Sequence, residues 1–293
     1  MENYELLIAE KPSAAKKIAE SLADGKVKKH VEEKVSYFEI THNNKTLVVA
    51  SAVGHLYGLK ATQKGWTYPV FDFEWQPVYK VSKNAEFTKK YLDLLEHLSK
   101  NAKSITICTD FDLEGEVIGL NIVRFAAKKK DARRMKFSTL TKEELREAYE
   151  HASPHLIWPQ ARAGETRHSL DWLMGINLSR ALSLSIKAAG SFKIMSAGRV
   201  QGPTLALLAK REKEIKTFIS KPFWLLELKT DKVTAWHKKD KFWEKKEAET
   251  ILKKTKDKKP IVAALKKTTA SQHPPYPFDL TSLQLESYKQ LGF

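Results

Sequence analysis

Four carboxylates occupy alternate positions in a short segment of the chain, directly after an apolar run. They are Asp110, Asp112, Glu114 and Glu116, and the run before them, Ser104 to Thr109, has the length and β-branched content of a strand. Like charges packed this closely repel one another, so the cluster binds a cation or keeps a proton on one member. Mg²⁺ suits such a site because it takes one or two carboxylates and keeps waters for substrate phosphates. The segment therefore predicts a magnesium site suited to phosphoryl chemistry.

Two other interpretations of the acidic segment are weaker. A calcium-binding EF-hand loop fits only in part, because its twelfth position is Asn121 where Glu is needed and a strand, not a helix, is predicted before it. An acidic surface loop without a function is the usual fate of such runs, but strict alternation directly after a buried strand favours a site.

The elements that would position these acids follow a repeated order of strand, loop and helix. Tyr4 to Ala9 is predicted as a strand, Glu10 to Ser13 as a loop and Ala14 to Leu22 as a helix, and the acidic segment repeats this order. We therefore predict an α/β fold with a doubly wound, mostly parallel sheet. Because the carboxyl ends of parallel strands meet at one edge of a sheet, we expect Glu10 to converge with all four acids of the segment.

Further elements are predicted around these two units. Val35 to Ile40 and Thr46 to Ala50 are predicted as a strand pair around a turn, and Met135 to Leu140 as another strand. Thr141 to Glu144 has the spacing of a capping box, which predicts the start of a helix containing Leu145 and Tyr149.

The second half of the chain changes in character. Helical periodicity replaces strand signals after Leu156, Pro222 precedes an aromatic β-rich stretch, and Pro274 to Pro277 form a stiff connector before a final helix. This predicts four regions: an α/β domain over 1–152, a helical domain over 153–216, a β-rich domain over 217–272, and the start of a further domain over 273–293.

Composition points to a polyanionic partner. The chain of 293 residues has 51 Lys and Arg against 35 Asp and Glu, a net charge of +16. Residues 1–150 are nearly balanced, with 25 basic against 22 acidic side chains, and residues 151–270 are more strongly basic. No apolar run reaches the roughly 18 residues that a membrane helix needs. The single cysteine, Cys108, and the acidic first residues favour a cytoplasmic protein with no membrane partner.

Several motifs, taken together, resemble those of type IA DNA topoisomerases, closest to the archaeal type and the topoisomerase III branch. Glu10-Lys11-Pro12-Ser13 and the acidic segment resemble the Toprim domain of topoisomerases and primases. The other matching segments, in family order along the whole chain, are Ala52 to Leu56, Thr166 to Ala181, Ser196 to Leu205 and Pro277 to Gln284.

The resemblance implies transient cleavage of one DNA strand through a 5′-phosphotyrosine and passage of another strand, dependent on Mg²⁺ and independent of ATP. It implies catalytic roles for five residues: Glu10, Lys11, Asp110, Asp112 and Glu114. Three of them, Glu10, Asp110 and Asp112, would also bind the metal. It implies DNA contacts for seven residues: His55, Arg167, Asp171, Ser196, Gly198, Arg199 and Gln201. The expected partner is DNA, preferentially single-stranded, and the protein is expected to be a nucleoid-associated monomer. Whether it also has a helicase partner is not predicted.

Two departures from the family pattern bear on function. Leu113 stands where the acidic motif commonly has Arg, so a phosphate contact by that Arg is lost. The family's Tyr-x-Arg-Thr-Asp-Ser-like motif is expected beyond Phe293, so we expect this N-terminal portion to bind single-stranded DNA and Mg²⁺ without relaxing DNA. The alternatives are another Toprim activity, primase-like or nuclease-like, and a non-catalytic basic DNA-binding module.

Overall fold

A computed structural model describes residues 3–293, which form two compact units. The first unit ends at Lys216 and the second runs from Thr217 to Phe293. No helix among residues 3–293 is both long enough and apolar enough to cross a membrane.

The first unit contains eight labelled strands and seven labelled helices. The strands are β1 (Tyr4–Ala9), β2 (Lys28–Glu32), β3 (Val35–His42), β4 (Lys45–Ser51), β5 (Tyr57–Ala61), β6 (Phe73–Pro77), β7 (Ala102–Cys108) and β8 (Arg133–Arg134). The helices are α1 (Pro12–Leu22), α2 (Val78–Val81), α3 (Lys89–Asn101), α4 (Leu113–Asn121), α5 (Lys142–Glu150), α6 (Trp158–Ala188) and α7 (Gln201–Lys216). A 3₁₀ turn over Lys83–Thr88 precedes α3, and a π-helical turn over Ile122–Ala126 extends α4.

Six of these strands form one mixed sheet in the order β2-β3-β4-β1-β7-β8. The central strand β1 runs parallel to both β4 and β7, while β3 is antiparallel to its neighbours, and β5 and β6 form a separate antiparallel pair. The predicted α/β fold with a mostly parallel sheet is therefore confirmed, as is the predicted pairing of the strands that became β3 and β4.

The central parallel strands β1, β4 and β7 are mostly buried, as parallel strands require. In β1, Leu6 and Ile8 pack in a cluster with side chains of α3 and α4. Leu7 and Ala9, on the opposite face, pack in a second cluster with side chains of α1 and α5. These two layers hold the carboxyl ends of β1 and β7 side by side.

Two local predictions after β7 are wrong. No strand forms over Met135 to Leu140, and the short strand β8 (Arg133–Arg134) ends just before this segment. The backbone amides of Ser138 and Thr139 donate to the carboxylate of Glu144 instead of to a neighbouring strand. The same contacts remove the predicted capping box, since Glu144 is already engaged and the side chain of Thr141 makes no cap hydrogen bond.

The long helix also differs from the prediction. α6 begins at Trp158 and runs without interruption to Ala188, longer than the periodicity indicated. The compact units divide after Lys216, and the predicted domain boundaries near residues 152 and 272 stay predictions.

The second unit holds two short strands and two helices. Its elements are β9 (Glu227–Lys229), β10 (Thr234–Trp236), α8 (Lys245–Thr255) and α9 (Leu280–Leu291). β9 and β10 form an antiparallel pair, and the backbones of Trp224 and Phe242 bridge outside it. Two three-residue strands are less β-structure than the aromatic pattern predicted, and α8 lies in the region 217–272, which was predicted to be β-rich.

A fully buried ion pair ties the end of β7 to the helices that follow. Arg134 and Glu116 are both 0% exposed, and Arg134 Nε donates to Glu116 Oε2 at 2.7 Å. The same guanidinium donates to the backbone carbonyls of Thr109 and Asp110, both at 2.9 Å. The other carboxylate oxygen of Glu116 accepts from the amide of Ile157 at 2.7 Å, just before α6. One pair of side chains thus fixes the acidic turn, α4 and the start of α6.

Glu116→Gln should destabilise the first unit by about 3 to 5 kcal/mol, because it leaves the charge of Arg134 buried without a counter-ion. Urea unfolding followed by circular dichroism measures this free energy. The matched control is Glu150→Gln, an exposed carboxylate of α5, which should change stability by less than about 0.5 kcal/mol. Equal stability of the two variants would contradict the role given to this ion pair.

Candidate functional site

The parallel pairing of β1 and β7 brings two acidic residues to one edge of the sheet. Ala9 pairs with Cys108, so Glu10 and Asp110 follow the ends of adjacent strands. Lys11 lies between them, with its Nζ 3.0 Å from Asp110 Oδ2 and 3.4 Å from Glu10 Oε1. The sequence prediction that Glu10 lies beside the acidic segment is matched by this geometry. We call Glu10, Lys11, Asp110 and Asp112 the acidic edge.

The turn carrying Asp110 and Asp112 is shaped by close backbone packing. Asp112 is the N-cap of α4, where its Oδ1 accepts from the amide of Gly115 at 2.7 Å. The hydroxyl of Thr109 donates to the carbonyl of Gly115 at 2.7 Å. A Cβ at residue 115 would overlap the carbonyl oxygen of Asp110, so only glycine allows α4 to start this close to the strand end.

Electrostatics at the acidic edge favour a proton or a cation. Burial and the neighbouring Asp110 raise the pKa of Glu10, and the charge of Lys11 opposes this only in part. The hydrogen bond to Asp110, followed by the charge of Glu10, raises the pKa of Lys11 and keeps it charged.

The donor chemistry of the acidic edge fits Mg²⁺, because it consists of carboxylate oxygens on neighbouring strand ends. The ammonium of Lys11 already lies between Glu10 and Asp110, so these two carboxylates accept a positive charge. Glu10, Asp110 and Asp112 are not, however, a set whose ligand atoms all lie within 4.8 Å of one another; in residues 3–293 that condition is met by a different group. Their joint binding of Mg²⁺ stays a prediction.

The expected convergence of all five acids is wrong. Glu116 is enclosed with Arg134, and Glu114 contacts two histidines instead of Lys11. Helix geometry explains the difference: residues 114 and 116 lie within the first turn of α4, so they do not follow the alternation of an extended chain.

Glu114 lies between two imidazoles. His55 Nε2 and His168 Nε2 each donate to Glu114 Oε2, at 3.0 and 2.8 Å, and the two ring centroids are 4.9 Å apart. Burial raises the pKa of Glu114, but the hydrogen bond and charge of His168 and those of His55 outweigh it, so the pKa is lowered. Burial and the adjacent His168 lower the pKa of His55 despite Glu114.

Sequence reasoning missed His168. The available signal was its helix phase: Gly164, His168 and Asp171 are spaced by four and three residues, which places them on one face of α6. Gly164 is the point of closest approach to α4, since a Cβ there would overlap the side chain of Val117. That close approach brings His168 to Glu114.

Three further predicted residues form a chain of ion pairs beside these histidines. Arg167 Nη1 is 3.4 Å from Glu114 Oε1, and its Nε is 3.7 Å from Asp171 Oδ2. Asp171 also binds Arg199, whose Nη2 lies 3.3 Å from Asp171 Oδ2, and the hydrogen bond from Arg199 lowers the pKa of Asp171 although desolvation opposes it. Predicted DNA-binding residues from two parts of the sequence therefore share one carboxylate.

The loop that carries Arg199 is fixed to α6 by two serines. The Oγ of Ser179 accepts from the amide of Ala197 at 3.0 Å, and the Oγ of Ser183 accepts from the amide of Met195 at 2.9 Å. Three predicted DNA-binding residues belong to this loop and the start of α7, and their side chains or backbone reach solvent: Ser196, Gly198 and Gln201. Their contacts with DNA stay predictions.

Comparison with known families matches almost the whole chain. Residues 5–140 match the Toprim domain family, and residues 157–293 match a family described as DNA topoisomerase. The chain is 47% identical over 287 residues to DNA topoisomerase 1 of Methanocaldococcus jannaschii, covering 97% of this chain and 37% of the relative. It is 43% identical to DNA topoisomerase 1 of Pyrococcus horikoshii, covering 98% of this chain and 43% of the relative. The chain thus spans less than half the length of these curated relatives.

A solved structure agrees with these matches. Full-length topoisomerase I from Thermotoga maritima superposes with a TM-score of 0.62 at 26% identity, covering 98% of this chain and 44% of that one.

Asp112→Ala should destabilise the protein by about 1 kcal/mol because it removes the N-cap of α4. Asp112→Asn should keep most of that stability, since asparagine caps helices nearly as well as aspartate. Urea unfolding of both variants measures the difference. Equal loss in the two variants would mean that the charge of Asp112, and not its capping hydrogen bond, stabilises the turn.

Proposed function

The chain belongs to the type IA DNA topoisomerases, whose N-terminal region it matches, and from that premise we propose that its acidic edge and α6 bind the DNA strand that the whole enzyme cleaves. In this proposal a single strand lies across the acidic edge, and a tyrosine forms a transient 5′-phosphate link while another strand passes. The break reseals without ATP because the covalent phosphotyrosine link keeps the free energy of the broken phosphodiester bond.

The observation that carries the proposal is the position of Lys11 between Glu10 and Asp110. The side chain of Lys11 is 59% exposed, so a phosphate can reach it from solvent. Two carboxylates and a lysine at one sheet edge supply what phosphoryl chemistry needs, namely a cation site and a positive group for the phosphate.

When bound at Glu10, Asp110 and Asp112, Mg²⁺ would offset the negative charge that develops on the reacting phosphate. The ammonium of Lys11 would bind the reacting phosphate from its position beside Glu10 and Asp110. Glu10 would also serve as the acid that protonates the leaving 3′ oxygen and takes the proton back during resealing.

The DNA path continues from the acidic edge along α6. Arg167 and Arg199 are half-exposed guanidiniums, and Asp171 holds both in place. Guanidinium groups bind phosphate oxygens through two parallel hydrogen bonds, so both side chains are proposed to contact the backbone of the strand. Single-stranded DNA is the proposed partner, and the net charge of +16 supports binding to it by a nucleoid-associated, monomeric protein in the cytoplasm.

The cleaving tyrosine is proposed to lie outside these 293 residues. The sequence contains no Tyr-x-Arg-Thr-Asp-Ser-like motif, and Tyr276 and Tyr288 stand in other contexts. The chain alone should therefore bind single-stranded DNA without breaking it.

Relaxation of negatively supercoiled plasmid in the presence of Mg²⁺ should be undetectable with this chain, while fluorescence anisotropy should show saturable binding of a single-stranded oligonucleotide.

Asp110→Asn combined with Asp112→Asn should bind that oligonucleotide as tightly as the unmodified chain, or more tightly, without Mg²⁺, because negative charge near DNA is removed. The same double variant should lose any change in affinity caused by Mg²⁺. Plasmid relaxation by the unmodified chain would overturn the placement of the tyrosine.

Lys11→Gln and Arg199→Gln should each weaken binding of single-stranded DNA and lower the slope of log affinity against log salt by about 0.7, the value for one lost phosphate contact. Anisotropy titrations at several salt concentrations measure both quantities. Lys26→Gln, an exposed lysine of the loop after α1, is the control and should leave the slope unchanged. An equal effect in all three variants would indicate general charge attraction in place of a defined path.

A further inference from the structure

Three side chains from three separate elements converge beside the acidic edge. His55 belongs to the loop after β4, Glu114 to the first turn of α4 and His168 to the middle of α6. Their ligand atoms all lie within 4.8 Å of one another, the arrangement that a shared metal ion needs. We call these residues the His-Glu-His group.

The donor set of the His-Glu-His group differs in kind from that of the acidic edge. Two imidazole nitrogens and one carboxylate oxygen are the ligands of zinc-class ions, whereas Mg²⁺ prefers oxygen alone. The family resemblance implies a catalytic role for Glu114 and a DNA contact for His55, but it places the metal on Glu10, Asp110 and Asp112 and gives none to this set.

The present distances are close to those of an occupied site. Zinc bonds of about 2.0 to 2.2 Å in a tetrahedron place neighbouring ligand atoms roughly 3.4 Å apart. His55 Nε2 and His168 Nε2 lie 3.0 and 2.8 Å from Glu114 Oε2, so shifts of roughly half an ångström would admit the ion. Arg167 approaches the other oxygen, Oε1, and leaves Oε2 to the two imidazoles.

The supporting backbone is fixed on each side. The amides of Ala52 and Gly54 donate to the carbonyls of Ala9 and Glu10, at 2.9 and 3.1 Å, which ties the loop of His55 to the end of β1. The ring of Trp75 packs 5.7 Å from that of His168. The three side chains are 27% to 38% exposed, so an ion can enter and a water can complete its coordination.

We propose that His55, Glu114 and His168 form a binding site for a zinc-class divalent ion, distinct from the magnesium site of the acidic edge. The ion would join the loop after β4, α4 and α6, and so fix the helix that carries Arg167 and Asp171.

Titration of the 293-residue chain with Co²⁺ and Zn²⁺ tests this site directly. The visible absorption of bound Co²⁺ should saturate at one equivalent and disappear on addition of Zn²⁺, and calorimetry should give the same stoichiometry for Zn²⁺. His168→Ala and His55→Ala should each weaken binding at least about tenfold, since they remove a direct ligand. Zn²⁺ should raise the melting temperature of the unmodified chain and not that of either variant.

Two controls separate this site from others. His97→Ala removes an exposed histidine that also faces a carboxylate, Glu32, and should leave Zn²⁺ affinity unchanged. The double variant Asp110→Asn, Asp112→Asn should likewise keep the Co²⁺ spectrum, which separates this site from the magnesium site. His168→Gln, closer in size to histidine, repeats the test if His168→Ala does not fold. The proposal would be overturned if the folded chain did not bind one equivalent of Zn²⁺. It would also be overturned if the His168 variants kept this binding or if His97→Ala lost it.

Discussion

The buried guanidinium of Arg134 is the contact on which the site depends. It donates to Glu116 and to the carbonyls at the end of β7, in a place that solvent does not reach. A charge removed from water is tolerated only when every donor is satisfied, so the surrounding backbone has little freedom to move. These contacts hold the turn that carries Asp110 and Asp112 in place. The hydrogen bond from the amide of Ile157 to Glu116 holds the start of α6 against the same ion pair.

Sequence patterns were sufficient for the α/β fold and for the juxtaposition of Glu10 and Asp110, because strand ends in a parallel sheet leave few alternatives. They were insufficient beyond Asp112. The alternation of carboxylates suggested one cluster, but the chain becomes helical at Leu113, and helix geometry turns Glu114 and Glu116 toward different partners. The role of Glu116 depends on Arg134, eighteen positions away, and no local pattern predicts such a pair.

The acidic edge and the His-Glu-His group divide the available carboxylates between two kinds of chemistry. Lys11 contacts Glu10 and Asp110 and offsets part of the negative charge of the acidic edge. Glu114 contacts two imidazoles instead, next to the guanidinium of Arg167. Glu114 is therefore not available to the cation that we propose at the acidic edge.

The central claim, that one sheet edge binds a cation and a DNA phosphate together, is tested most directly by anomalous diffraction. Crystals of this chain would be grown with a short single-stranded oligonucleotide and Mn²⁺ in place of Mg²⁺. The account predicts an anomalous peak among the carboxylates of Glu10, Asp110 and Asp112, with the ammonium of Lys11 in contact with a phosphate. Bound DNA elsewhere, with no phosphate at Lys11 and no peak at the edge, would contradict it.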